Sequence, residues 1–182
     1  MNLRDQFFKK PWFFKLYLNH WAPFKGAGIR VVEVAPDFGR VVVELRETRS
    51  NRNAVGTHFG GSLYAMCDPF YMLMFIARLG KDYVIWDKAA TIVFERPGRG
   101  TVRATFALSP EDDASVRRET ADGARYTPTY RVEVMDERGE RVATVEKVLY
   151  FRRKDAGAEN DRRGAAAARG AAPVPSPRSA GP

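Results

Sequence analysis

One cysteine, Cys67, is all that the 182 residues contain, so no intramolecular disulfide framework can staple the fold and no C-x-x-C redox pair can form. A reducing, cytoplasmic compartment is the expectation. Histidine is nearly as scarce: His20 and His58 alone argue against a metal site built from His ligands. No serine stands in a G-x-S-x-G elbow and no phosphate-binding P-loop occurs, which removes two common routes to hydrolysis. Long hydrophobic runs are missing too. The longest, residues 70–77, is far short of the roughly 20 needed to span a bilayer, so no transmembrane segment is expected. Near the start, Lys9, Lys10, Pro11 and Lys15 interrupt any signal-peptide core, and no small-residue cleavage site follows.

What is present is a basic chain of net charge +8, but the charge is unevenly spread. Residues 1–30 carry six Lys/Arg against one acid and residues 152–182 carry seven against three, which leaves the middle close to neutral. Positive charge confined to the ends argues against a nucleic-acid-binding core and for weak attraction of anions by the termini. The length suits one hydrophobic core.

Three regions follow from the pattern. Residues 1–27 hold apolar positions at helical spacing, Phe8, Trp12 and Leu16 with Phe13 and Tyr17, closed by Pro23 and the Gly26 and Gly28 pair. They read as an amphipathic N-terminal helix that packs one aromatic face. Residues 28–154 hold strand-like runs at 29–34 and 40–47, then an apolar helix ending at Gly80, then runs at 83–95, 101–108, 126–136 and 141–152. A short exposed helix is expected after Ser109-Pro110, an N-cap followed by proline at the first helical position. Two strands before a buried helix and four after it make an α+β domain whose sheet wraps that helix. From 155 to 182 the chain is rich in Ala, Gly, Pro, Arg and Ser and reads as a disordered tail.

Within the apolar helix Asp68 stands out, because its neighbours three and four positions away, Tyr64, Ala65, Tyr71 and Met72, include no cation. Burying a carboxylate without a partner is costly, and function is one reason to tolerate it. A plainer reading stays open: Asp68-Pro69 is also what a helix start looks like, with Asp as cap. If the helix begins near Ser62 instead, Pro69 falls inside it and breaks it. Upstream, Gly60-Gly61 is either a tight turn or a helix entrance whose bare N–H groups polarise a carbonyl, with Asn53, Thr57 and His58 in the same loop. Asp87-Lys88 places a charged pair in an apolar strand, read either as a salt bridge or as one residue facing the site. Arg96 and Arg99 flank Pro97-Gly98 as an ordinary basic turn or as forked donors for phosphates.

Residues 53–68, N-A-V-G-T-H-F-G-G-S-L-Y-A-M-C-D, resemble the loop and central helix of the phenylacetyl-CoA (PaaI-like) branch of hotdog-fold thioesterases. Asn53, Gly60, Gly61 and Asp68 match its spacing. With V-F-E-R-P-G-R-G at residues 93–100 the similarity covers residues 28–152, nearest to a domain-of-unknown-function subgroup. The resemblance implies a hotdog fold, an antiparallel sheet wrapped around a long central helix. It implies an acyl-CoA thioesterase, with coenzyme A entering as part of the substrate and no further cofactor. Asp68 would be general base or nucleophile, Gly61 with Gly60 would hold the thioester oxygen, and Asn53 would orient substrate or water. Coenzyme A binding would fall to Arg96, Arg99, Lys88 and Asp87. A second subunit would complete each site in a homodimer or tetramer. Phe59 stands where the family has its histidine, with His58 one place away. Non-catalytic acyl-CoA binding is therefore the alternative, and an enoyl-CoA hydratase or dehydratase a third.

Overall fold

The computed structural model describes residues 3–154. The segment read as a tail lies outside the described residues. The N-terminal region forms three short helices rather than one: α1 (Leu3–Lys9), α2 (Pro11–His20) and α3 (Ala22–Ala27). Pro11 and Pro23 set the divisions, each within the first two positions of the helix it opens, where a missing N–H is harmless. Gly28 closes α3 in the left-handed conformation, φ 82°, and an added Cβ there would meet the Asn51 side chain and the Arg46 carbonyl.

Six antiparallel strands follow in one sheet, ordered β1-β2-β4-β5-β6-β3: β1 (Ile29–Val34), β2 (Arg40–Arg46), β3 (Tyr83–Phe94), β4 (Thr101–Ala107), β5 (Thr129–Met135) and β6 (Arg141–Arg153). Alternation sets the faces. In β6, Ala143, Val145, Leu149 and Phe151 are buried, and in β4, Val102, Ala104 and Phe106. That face receives the apolar helix, which is broken in two: α4 (Gly60–Ala65) and α5 (Phe70–Leu79). Pro69 has no N–H to give the Ala65 carbonyl, and Asp68 N takes that carbonyl at 3.4 Å instead. The break therefore falls at Met66 to Pro69, and α5 restarts just beyond the proline.

Aromatic rings fill the space between α5 and the sheet. Phe70 lies 4.9 Å from Phe106 by ring centroids, Phe75 lies 4.8 Å from Phe151, and Tyr71 donates to the Arg131 carbonyl at 2.7 Å. Arg78, near the end of α5, donates to Asp113 of α6 (Pro110–Glu119), whose start carries the capping box of Ser109 and Asp112. The faces of α2 differ from the expected ones: Phe14 and Leu18 are buried, whereas Trp12, Leu16 and Tyr17 point to solvent. Both rows are apolar, and periodicity alone could not choose between them. Phe75 sits at the centre of the packed layer, so Phe75→Ala lowers stability by about 3–5 kcal/mol with the fold retained. Urea titration checks this through a reduced midpoint at unchanged slope.

Candidate active site

The break at Pro69 aims Asp68 off the helix axis, and its side chain caps neither helix half. Its Oδ1 accepts from the Tyr64 hydroxyl at 2.8 Å and from Lys147 Nζ at 2.8 Å. Oδ2 has no hydrogen bond to a described residue. The side chain is 47% exposed. Both premises of the sequence reading are thus corrected: Asp68 is neither unpaired nor deeply buried, because the partner arrives from β6, 79 residues away.

Lys147 is the residue that reading missed. The signal was there, since alternation along residues 141–152 puts it on the face of Val145 and Leu149. Its side chain is 0% exposed, and Asp87 Oδ2 stands 3.3 Å from Nζ. Burial alone would favour loss of the lysine proton, but the bond to Asp68 and the charge of Asp87 overcome it and hold Lys147 above its ordinary pKa. Burial pushes the Asp87 carboxyl up from its usual range, opposed by Lys147. The two neighbouring residues part by strand alternation: Asp87 shares the inward face of Tyr83 and Ile85, just ahead of the bulge before Ala89, and Lys88 is left exposed. Asp87 therefore pairs with Lys147 and not with Lys88. Its Oδ1 is buried with no partner among the described residues. Cys67 beside this cluster is an inert thiol, pushed by burial to about 12.

At the other end of α4 lies a cleft of about 430 Å³ lined by Asn53, Thr57, His58, Gly60, Phe94 and Arg96. Asn53 has a different task from the expected one. Its Nδ2 donates to Thr57 Oγ1 and to the His58 carbonyl, and its Oδ1 accepts from the N–H groups of Val55 and Thr57, so its amide shapes the loop. His58 is buried, with Nε2 2.9 Å from the Gly100 carbonyl, and burial lowers its pKa below the ordinary 6.5. The neutral ring then donates through Nε2 and keeps Nδ1 as an acceptor with no partner among the described residues. In the first turn of α4 the N–H groups of Gly60 and Gly61 have no hydrogen-bond partner among the described residues. The Phe94 ring covers Gly60 and the Phe59 ring covers Gly61, closely enough that an added Cβ would collide with each. Arg96 pairs with Glu140, and Arg99 donates to the Gly56 carbonyl at 2.9 Å. No cluster of potential metal ligands occurs among the described residues.

Residues 10–151 match the domain of unknown function DUF4442. The chain belongs to that family. No curated protein matches the sequence. Among solved structures this DUF4442 chain is similar to a Pseudomonas aeruginosa protein of unknown function described as a probable thioesterase, with a TM-score of 0.68 at 20% identity over 76% of this chain and 93% of that one. A thioesterase of Haemophilus influenzae gives a TM-score of 0.56 at 12% identity, over 76% and 87%. The E. coli PaaI protein from the phenylacetic acid degradation operon gives 0.52 at 21%, over 76% and 87%. At such identities the likeness carries the fold: this DUF4442 chain is a hotdog, an antiparallel sheet packed around a helix.

Two outcomes test the electrostatics. Removing the buried cation with Lys147→Met leaves two carboxylates facing each other, and stability falls by about 2–3 kcal/mol in chemical denaturation, less than for a fully buried pair because Asp68 is half in water. For His58 the folded form holds its proton less tightly than the unfolded form, so its contribution is present above pH 6.5 and lost as pH falls toward the folded pKa. Melting temperature across this range drops in the wild type, and His58→Gln flattens that slope.

Proposed function

We propose that the chain is an acyl-CoA thioesterase in which the Asp68 carboxylate carries the reaction. The observation that supports this most directly is the division of labour between its oxygens. Oδ1 is held by Tyr64 and Lys147, while Oδ2, on a half-exposed carboxylate, has no hydrogen bond to a described residue. A carboxylate so oriented can take a proton from a water attacking the thioester carbonyl, or attack that carbonyl itself. Lys147 keeps the charge in place without competing for the other oxygen. The N–H groups of Gly60 and Gly61 are suited to the developing oxyanion.

Gly61 and Asp68 stand seven residues apart along α4 and the break, about 10 Å at helical rise, too far to act on one carbonyl within a single chain. A second copy resolves this. β3 is a sheet edge of twelve residues whose backbone groups are open to pairing, and Trp86, Val93 and Phe94 along it are exposed apolar side chains. A homodimer formed there would bring one chain's glycine turn toward the other's Asp68 and cover both. Tetramers would be built from such dimers. Arg96, which lines the cleft, and Arg99, three residues on, would then meet the coenzyme A phosphates. The exposed Arg96–Glu140 pair is worth at most about 1 kcal/mol and yields readily to a phosphate.

A second reading, acyl-CoA binding without turnover, is favoured by Phe59, whose ring crowds Gly61 where a substrate oxygen would sit. Thiol release from short, medium and aromatic acyl-CoAs separates the two. The thioesterase reading expects turnover with at least one of them and a fall in kcat of about 100-fold or more in Asp68→Asn, with KM little changed. Tight binding with no thiol released by the wild type establishes the binding module, and full activity in Asp68→Asn removes the carboxylate from the mechanism.

A further inference from the structure

Apart from the Phe7 ring of α1 set edge-on against Tyr17, the outer face of α2 is left open by the described residues. Trp12, Leu16 and His20 succeed one another at four-residue spacing, Phe13 and Tyr17 form the adjacent row, and Trp21 continues the surface where α3 begins. Trp12 is 61% exposed, Leu16 47%, Tyr17 45% and Trp21 42%, and a shallow apolar groove of about 500 Å³ runs between Phe13, Leu16, Tyr17 and Trp21. The core is served by the opposite side of the helix through Phe14 and Leu18. A third side is tied to β1, where Asn19 exchanges two hydrogen bonds with Val31 and Lys15 Nζ reaches the Val32 carbonyl. The exposed aromatic row is therefore rigidly presented.

Charge complementarity names the occupant. From Gln6 to Val32 the sequence holds five cations, Lys9, Lys10, Lys15, Lys25 and Arg30, and no acid. A second copy docked through the same face would bring these lysines together with no acid in the same segment to neutralise them. Tryptophan and tyrosine suit the boundary between lipid headgroups and acyl chains, because each joins an apolar ring to a polar tip. Flanking lysines bury their stems and place ammonium groups against phosphates. We propose that this face seats the protein on an anionic lipid bilayer, peripherally, with Trp12, Leu16, Tyr17 and Trp21 at the headgroup boundary and Lys9, Lys10 and Lys25 around them. The surface stands on the helix opposite the core and is independent of the thioesterase reading.

Flotation of the full chain with vesicles tests it, using phosphatidylcholine alone and phosphatidylcholine with about 30 mol% phosphatidylserine. The expected result is partition into the anionic vesicles about tenfold or more stronger than into the neutral ones, weakened by high salt. Trp12→Ser with Leu16→Ser and Trp21→Ser lowers that partition by about tenfold or more. So does Lys9→Glu with Lys10→Glu and Lys25→Glu, through charge alone. Tryptophan quenching by brominated acyl chains appears in the wild type and is lost in Trp12→Ser/Trp21→Ser. Melting temperature and thiol release from a soluble short-chain acyl-CoA stay unchanged in these variants, because the residues are exposed and outside the cleft. Absence of partition into anionic vesicles, or equal partition of the variants, overturns the proposal. Self-association that the serine variant abolishes, or tighter binding of a single-stranded oligonucleotide than of vesicles, replaces it with a different partner.

Discussion

A lysine ammonium enclosed between two carboxylates ties together three separate parts of this molecule. Lys147 comes from β6, Asp87 from the bulged edge strand β3, and Asp68 from the break between α4 and α5. Each irregularity has meaning through the other two. Without Pro69 the helix would run on with no break at Asp68. Alternation along β3 turns Asp87 inward, opposite Leu149. With both in place the cation meets a carboxylate on two sides, and Asp68 keeps one oxygen without a hydrogen bond to a described residue. Tyr64, one helical turn before Asp68, adds a hydroxyl to the same oxygen, and its own ionisation is pushed up first by burial and then by that bond.

Elsewhere charge is handled in the opposite way. On the face of the sheet away from the helix, Glu44 is nearly enclosed yet receives Arg46 and Arg103 from above. Burial by itself would push its carboxyl up, but the two guanidinium hydrogen bonds prevail and hold it below the usual range. Arg131, Glu133, Arg141 and Glu95 continue the row across β5 and β6. Glu44 has both oxygens engaged, and Glu133 takes Arg131 and Arg141 on one oxygen. Asp68 differs in that its cation comes from within the core rather than from the surface.

The glycine turn and the carboxylate are built by different means. Loop residues 53–59 are organised by their own hydrogen bonds, through the Asn53 amide, and by docking on the turn at residues 97–100, where His58 and Gly98 pack closely and Arg99 reaches Gly56. That local economy explains why Asn53 and His58 carry little that reaches outward. It also leaves the amides of Gly60 and Gly61 under two phenyl rings, so access to them depends on where Phe59 and Phe94 settle when a second surface approaches.

Sequence by itself determined the element order, because the switches between two-residue and helical periodicity, with glycine and proline punctuation, are local properties. Runs read at 29–34, 83–95, 101–108 and 141–152 match β1, β3, β4 and β6 to within a residue or two. The hotdog fold was likewise legible, through the family resemblance carried by residues 53–68. Tertiary structure alone decided which groups meet. The partner of Asp68 is 79 residues distant and that of Asp87 lies across a bulge, and neither separation is written in a local pattern. It decided also which apolar row of α2 faces inward. Two rows of similar hydrophobicity satisfy the same period, and only the space beneath the sheet, filled by Phe14 and Leu18, breaks the tie.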